Sequence, residues 1–317
     1  MDSATTGGMP PAILLMGPTA SGKTDLALSL AARFPLGIVS VDSALVFKDM
    51  DIGTAKPDRE TRARFPHRLI DIITPEAHYS AARFREEASA AMAEITAHGQ
   101  VPLLVGGTML YFRALLEGLA DLPRADPALR AVLDAEAREK GWSALHAELA
   151  RRDPVAAARL SPTDSQRIQR ALEICRLTGG AMTDLLAKGR GKPSSHRFLR
   201  LALLPSERAP LHERIAQRFR NMLANGLVEE VESLRRRYVL HADLPSMRCV
   251  GYRQTWACLE GAFGHAELAD RGVFATRQLA KRQITWLTNS LPGEPFDCLA
   301  PDMTTRVCAR VAEFLDA

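Results

Sequence analysis

Cysteine is scarce in this 317-residue chain, and what there is does not pair: Cys175, Cys249, Cys258, Cys298 and Cys308 lie far apart with no C-x-x-C. A disulfide framework or a zinc site needs paired spacing, so the thiols are read as reduced and the protein as cytoplasmic. His67, His78, His146, His212 and His241 show no metal-ligand spacing either. Long apolar runs are missing too. Ala12–Met16 is too short for a signal core or a membrane span, and Met1–Pro11 has no basic start, so neither export nor a membrane is expected. There is no internal repeat and no low-complexity tract. Charge of one sign is not in great excess: Lys and Arg total 41 against 37 Asp and Glu, a formal net charge of +4. That suits a polyanionic partner without demonstrating one.

What the chain does have is length and alternation. It is long enough for one large domain or two smaller ones, and 46% hydrophobic with 25% charged residues is ordinary for a globular protein. Two short apolar runs, Ala12–Met16 and Val101–Val105, each lead through glycines into helical patterns, Lys23–Phe34 and Met109–Leu116. Between them lie the runs Gly37–Val41 and Arg68–Ile73 and the helical stretch Ala81–Ala97. Such alternation predicts a parallel sheet covered on both faces, with ligands at the carboxyl ends of its strands. Asp42, Gly106–Thr108 and the loop Gly17–Thr24 fall on that rim. From about Leu119 to Lys188 the texture changes: Pro123, Asp126-Pro127 and Asp153-Pro154 punctuate helical segments with no strand among them. Gly189–Ser195 reads as a polar linker. Phe198–Leu204 reads as a returning strand, and Leu211–Ala224, Leu227–Arg237, Gly251–Glu260 and Gly272–Asn289 as helices. The expected fold is therefore α/β, a P-loop NTPase-like parallel sheet core with a helical insertion domain. The core covers 1–118 and 189–317, with a helical C-terminal part, and the insertion covers 119–188.

Gly17-Pro18-Thr19-Ala20-Ser21-Gly22-Lys23-Thr24 matches G-x-x-x-x-G-K-[ST] between a strand and a helix. Glycine lets the backbone turn its N–H groups inward around phosphate oxygens, at a helix N-terminus whose dipole favours anions. Lys23 supplies a point charge and the Thr24 hydroxyl a ligand for Mg2+. The motif says that a polyphosphate binds, not that ATP is hydrolysed. Asp42 ends the second run; an acid there holds Mg2+, takes a proton from a nucleophile, or caps its own turn. The third run carries Asp71 inside it, the run Val101–Val105 ends in Gly-Gly, and there is no N-K-x-D element for guanine. These absences count against a GTPase switch and weaken a standard ATPase, while a small-molecule kinase with Asp42 as base survives.

The residues then become specific enough to name a family. The loop Gly17–Thr24, Ser40-Val41-Asp42-Ser43-Ala44, Met50–Pro57, Pro66-His67-Arg68-Leu69, Gly106–Tyr111, Cys249–Gln254 and Ala275–Gln283 closely resemble the tRNA dimethylallyltransferases, or IPP transferases, in their bacterial form. The likeness runs from about residue 12 to residue 290 in the expected order; the segment after Pro292 carries none. It implies transfer of a dimethylallyl group from dimethylallyl diphosphate, held with Mg2+ in the P-loop, to N6 of the adenine at tRNA position 37. That base lies just 3′ of the anticodon, in tRNAs reading codons that begin with U. The product is N6-isopentenyladenosine. By its match to the family Arg218 joins Lys23 and Thr24 at the departing diphosphate, and Asp42 takes the proton from the amine. The partner implied is the tRNA anticodon stem-loop, gripped by the insertion domain. The residues that match the family's tRNA side are Asp42, Ser43, Ala44, Leu45, Thr108, Arg130, Gln166, Arg167, Ile168, Gln169, Arg170, Arg248, Cys249, Val250, Gly251, Tyr252, Arg253, Lys281, Arg282, Gln283, Ile284, Thr285, Trp286, Leu287 and Thr288.

Other features can be read without the likeness. The two glycines before Thr108 would let a nucleobase approach the backbone. Arg277, Lys281 and Thr285, spaced four apart, share a face of the helix Gly272–Asn289, with Val273, Leu279, Ile284 and Leu287 as its buried side. Tyr79, Tyr111, Trp256 and Trp286 are candidates for base stacking or for the core, and Tyr252, between Gly251 and Arg253, is the aromatic expected nearest a base. A monomer is expected. The rival readings are a small-molecule kinase, an enzyme prenylating free AMP or ADP, and a non-catalytic P-loop RNA-binding protein. The insertion counts against the second, since a mononucleotide needs no second clamp.

Overall fold

A computed structural model describes residues 9–189, 191 and 193–317; residues 1–8, Arg190 and Lys192, on which parts of the N-terminal and linker readings fall, lie outside the described residues. The chain divides into two compact units, Met1–Leu115 with Ser194–Ala317, and Leu116–Pro193.

The larger unit is built on a six-stranded sheet of order β3-β2-β4-β1-β5-β6. Its elements run β1 Pro11–Met16, α1 Lys23–Ala31, β2 Leu36–Val41, α2 Arg59–Arg64, β3 His67–Arg68, α3 Ala81–Ala97, β4 Val101–Gly106 and α4 Met109–Glu117. Five helices of the smaller unit follow: α5 Pro127–Lys140, α6 Trp142–Arg152, α7 Pro154–Arg159, α8 Ser165–Thr178 and α9 Met182–Ala187. The chain then returns as β5 Arg197–Leu204, α10 Arg208–Ala224, α11 Leu227–Arg237, α12 Tyr252–Leu259, α13 His265–Asn289, β6 Glu294–Asp297 and α14 Met303–Asp316. Every strand pair is parallel. Ala12, Ile13, Leu14, Leu15 and Met16 of β1 are all 0% exposed, which is why this strand reads as an unbroken apolar run instead of an alternation.

Register fixes where the chemistry stands. Met16 pairs with Gly106, and Val41 pairs with Gly106 from the other side, so β1, β2 and β4 end level. The residues that follow them, Gly17, Asp42 and Gly107, therefore share one rim. One face of the sheet packs Ile13, Leu15, Leu26, Leu30, Leu201, Val307 and Val311 together. A separate cluster joins Phe47 and Met50 to Ile215 and Phe219 of α10, Val231 of α11, Tyr252 of α12 and Val273 of α13.

The run Arg68–Ile73 is mostly not a strand. Only His67–Arg68 pair with β2; Leu69 and Asp71 have φ of 63° and 56°, left-handed values that break a strand, and Ile73 makes just an isolated bridge to Phe47. Helix α1 stops at Ala31, short of Phe34, and α13 begins at His265, ahead of Gly272. Strand β6 and helices α2 and α14 stand where the sequence reading had placed no element.

In the smaller unit the Asp-Pro pairs are helix starts. The Asp126 carboxylate accepts from Ala128 N and Leu129 N at 2.9 and 3.0 Å, and Asp153 accepts from Ala156 N at 2.9 Å, each with proline in the first turn. Leu133, Leu145, Leu149, Ile168 and Leu172 form its core. Among the described residues no helix is long and apolar enough to cross a membrane.

Candidate active site

The rim opens into a cavity of about 480 Å³ within the larger unit. Its floor is the loop between β1 and α1, where Ala20 and Gly22 take φ of 63° and 79° so that the backbone curls ahead of the helix. Lys23 Nζ folds back over this loop, donating to the Pro18 carbonyl at 2.5 Å and to Ser21 Oγ at 3.4 Å. Gly17 is needed by packing: a Cβ there would lie 2.8 Å from Ser21 Oγ and 3.2 Å from the Leu203 carbonyl. Thr24, exposed in the first turn of α1, lines the same space.

Asp42 lines that cavity along with Lys23, Thr24, Arg218 and Thr108. Its Oδ1 accepts from Ala44 N at 2.8 Å, so the carboxylate also holds its own turn. Thr108 braces the turn from β4: its Oγ1 accepts from Ser43 N at 3.0 Å, and its own N–H reaches the Val41 carbonyl at 3.2 Å. The lining cations are Lys23, Arg218, Arg248 and Arg282, against the carboxylate of Asp42. Burial, and then the Arg218 cation, push Lys23 down to about 8, although Asp42 pulls the other way. Burial likewise lowers Arg218 despite Asp42, and His67 is lowered chiefly by burial, which keeps its imidazole neutral near pH 7. Lys23 and Arg218, half-buried with so little opposite charge beside them, form a ready receptor for a polyanion. Along α10, Ile215, Phe219 and Met222 follow at helical spacing around Arg218 and, with Leu279 of α13, give the cavity an apolar wall.

Thr24 and Asp42 are hard oxygen donors, the type Mg2+ takes when it keeps several waters and one or two protein ligands beside phosphate oxygens. Among the described residues no group of three His, Cys, Asp or Glu could hold a metal unaided.

The remaining residues named from the sequence separate by burial and by unit. Ser43, Ala44, Leu45, Arg248, Cys249, Val250 and Arg282 line the cavity. Arg253, Lys281, Thr285 and Thr288 are exposed, although the hydroxyls of Thr285 and Thr288 bond back to the Lys281 and Ile284 carbonyls at 3.0 and 3.1 Å. Arg277 is only half-buried, and its Nε is enclosed with no hydrogen-bond partner. Ile284 and Trp286 are half-buried, the latter 5.0 Å from the Arg113 guanidinium. In the smaller unit Gln166 and Arg167 are exposed. Arg130 and Arg170 both bond Glu173, at 2.8 and 2.6 Å, and Gln169 Nε2 reaches Asp134 at 2.6 Å.

Several expectations need correcting. Tyr252 is 0% exposed; α12 turns its ring into the core, where the hydroxyl donates to Glu230 Oε1 at 2.5 Å, so it meets no base from the surface. Ile168 and Leu287, at 0% and 2% exposure, support their helices from inside. Gly251, also buried, holds φ of 93° at the start of α12. The two glycines before Thr108 line the cavity, but what demands their lack of a side chain is protein: a Cβ at Gly106 would stand 1.9 Å from the Val41 carbonyl, and one at Gly107 would stand 2.3 Å from Gln283 Nε2. Tyr111, 5% exposed, stacks on Phe84 at 4.5 Å, Tyr79 donates to Glu87 at 2.6 Å, and Trp256 lies under Arg235 at 4.5 Å. The sequence reading missed Glu230, whose carboxylate accepts from Asp51 N, Ile52 N and Gly53 N at 2.9, 2.7 and 3.2 Å and holds the loop beside Arg218. It missed the apolar wall as well, although the spacing of Ile215, Phe219 and Met222 was a usable signal.

Comparison with known proteins points one way. The family model described as IPP transferase matches residues 45–290. The chain is 64% identical over 309 residues to the tRNA dimethylallyltransferase of Dechloromonas aromatica, covering 98% of each. It is 61% identical over 315 residues to that of Thiobacillus denitrificans, covering 99% of this chain and 100% of the relative. Among solved structures it resembles the tRNA isopentenylpyrophosphate transferase of Bacillus halodurans, with TM-score 0.69 and 34% identity over 97% of both chains. A eukaryotic dimethylallyltransferase solved acting on tRNA shares the fold, with TM-score 0.80 and 23% identity over 97% of this chain and 80% of the other.

Proposed function

The chain belongs to the IPP transferase family, and from that membership we propose how its rim carries out the reaction. It is a prenyltransferase that moves a dimethylallyl group onto tRNA. The donor in our proposal is dimethylallyl diphosphate. The acceptor is the exocyclic N6 of the adenine at tRNA position 37, in tRNAs reading codons that begin with U. The observation that carries this reading is that Lys23, Arg218, Arg248, Arg282 and Asp42 line one cavity together with an apolar wall. A diphosphate suits the cations, a five-carbon chain the wall, and an amine awaiting deprotonation the carboxylate.

The allylic C1–O bond breaks with its electrons passing to the diphosphate, the N6–C1 bond forms, and the proton leaves N6 for Asp42. The loop amides, Lys23 and Arg218 stabilise charge that grows on the leaving group, which is where fixed donors lower a barrier most. Mg2+ held at the Thr24 hydroxyl would neutralise further charge on that diphosphate. Asp42 orients the amine and accepts its proton, a role that contributes about a hundredfold or more. The adenine must leave its stack to reach the cavity, which costs a few kcal/mol and is easiest in a single-stranded loop. We assign the grip on the anticodon stem-loop to the smaller unit, Leu116–Pro193, with Arg130, Gln166, Arg167 and Arg170 as contacts, and place the reaction of a monomer in the cytoplasm.

The test is to supply labelled dimethylallyl diphosphate and Mg2+ with unmodified tRNA, with AMP or with no acceptor, omitting ATP. Label should enter tRNA alone, and Asp42→Asn should lower kcat by about a hundredfold. Label in AMP, a requirement for ATP, or an undiminished Asp42→Asn rate would each defeat the reading.

A further inference from the structure

Gln283 lies on α13 among residues whose side chains mostly face outward, yet its own amide turns into the rim. Its Oε1 accepts the Thr19 N–H at 2.9 Å, and its Nε2 donates to the Gly107 carbonyl at 2.9 Å. The two loops it touches leave neighbouring strands whose ends are paired, Met16 with Gly106. Gly107 is shaped to admit it: a Cβ there would come within 2.3 Å of the same Nε2 and 3.2 Å of the Gly17 carbonyl. The next residue, Thr108, holds Ser43 through the 3.0 Å bond from Ser43 N, and Ser43 adjoins Asp42. A continuous path of hydrogen bonds and one peptide step thus runs from the phosphate loop through Gln283 to the turn that carries Asp42.

We infer that Gln283 is a positioning residue that sets the separation between the phosphate loop and the Asp42 turn, and that it is not a contact for RNA. The inference rests on the reading of that cavity as the site of prenyl transfer. A primary amide suits the task because one planar group offers an acceptor and a donor in opposite directions. A carboxylate would accept from Thr19 but set oxygen against the oxygen of Gly107. A thioether of equal length would make neither bond, and asparagine, one methylene shorter, would not span both loops. The two loops can still bind their own ligands without the clip. What they lose is the fixed spacing of the reacting atoms, and a misplacement of about 1 Å costs roughly a hundredfold in rate.

The experiment compares wild type with Gln283→Met and Gln283→Glu in the full-length enzyme. It measures kcat, KM for dimethylallyl diphosphate, KM for tRNA and the melting temperature. For Gln283→Met, kcat should fall by about ten- to a hundredfold while both KM values stay within about threefold, the pattern of an interaction that matters at the transition state. For Gln283→Glu, the ratio of variant to wild-type kcat should rise as pH falls, because a protonated carboxyl regains a donor for Gly107. That ratio also tests the inference should Gln283→Met fail to fold. A rise in tRNA KM alone would make Gln283 an RNA contact, and a lower melting temperature with unchanged kcat would make it merely structural; either overturns the inference. A Gln283→Glu ratio that is flat with pH overturns it too. Wild-type enzyme that transfers no label at all removes the underlying functional reading, an outcome distinct from any result confined to the variants.

Discussion

With Lys23 at the donor diphosphate, as proposed, donor binding should depend on pH in a direction that can be worked out. Its ammonium is held down to about 8 by burial and by Arg218. With that value the free enzyme carries the charge on about nine-tenths of molecules at pH 7 and about one-tenth at pH 9. A diphosphate arriving beside Lys23 favours the charged form, so binding at pH 8 should draw in about half a proton from solution, and kcat/KM for the donor should drop roughly tenfold from pH 7 to pH 9. Calorimetry of donor binding in two buffers of different ionisation enthalpy measures the proton uptake directly. Lys23→Arg provides the comparison, because guanidinium keeps its charge throughout and should flatten the profile. The same depression bears on ligand-free stability. A lysine whose folded value lies below its unfolded value, here about 8 against 10.5, opposes folding fully below pH 8. That opposition is relieved as pH rises between the two values, so the ligand-free enzyme should gain stability over that window from this group. Donor affinity that is flat from pH 7 to 9 with no proton uptake would refute the reasoning.

Two further perturbations test the frame around the site. Gly106→Ala should abolish transfer or the fold, because its Cβ would lie 1.9 Å from the Val41 carbonyl and backbone cannot step aside; Gly180→Ala, whose Cβ meets nothing within 4 Å, should leave kcat and melting temperature close to wild type. Glu230→Ala should cost about 4 kcal/mol by stranding the Tyr252 hydroxyl and the amides of Ile52 and Gly53. Thermal melting should register that as a fall of about 6 °C, and a change within about 2 °C would contradict it.

The central strands were legible because β1, β2 and β4 are apolar runs closed by glycine or by Asp42, and buried parallel strands carry that texture. The same texture misled at Leu69–Ile73. There Asp71 is drawn to Lys56 and Arg62, both at 2.5 Å, through a left-handed turn that apolar letters do not announce. Strand β6 escaped notice for a different reason. It is a four-residue edge containing Pro295 and sends only Phe296 into the core, too little periodicity to stand out. At the site, the phosphate loop and Asp42 were visible because their placement follows from a strand ending. The two bonds of the Gln283 amide were not legible because its partners lie 264 and 176 residues away, a distance no local pattern spans. Tyr252 was misread because flanking Gly251 and Arg253 say nothing about which way a ring points.

Glu173, at 0% exposure, is grasped by Arg130 and Arg170 and by the Asp126 amide. Burial alone would raise its carboxyl, yet those donors hold it below the ordinary value. Neutralising one of these arginines to test its proposed contact with RNA therefore strips a concealed anion of one of its two cations, so poorer folding would be mixed with any loss of capture. Swapping Glu173 for glutamine in the same molecule would remove the trapped charge and let the two losses be told apart. The three side chains have to be engineered as a set.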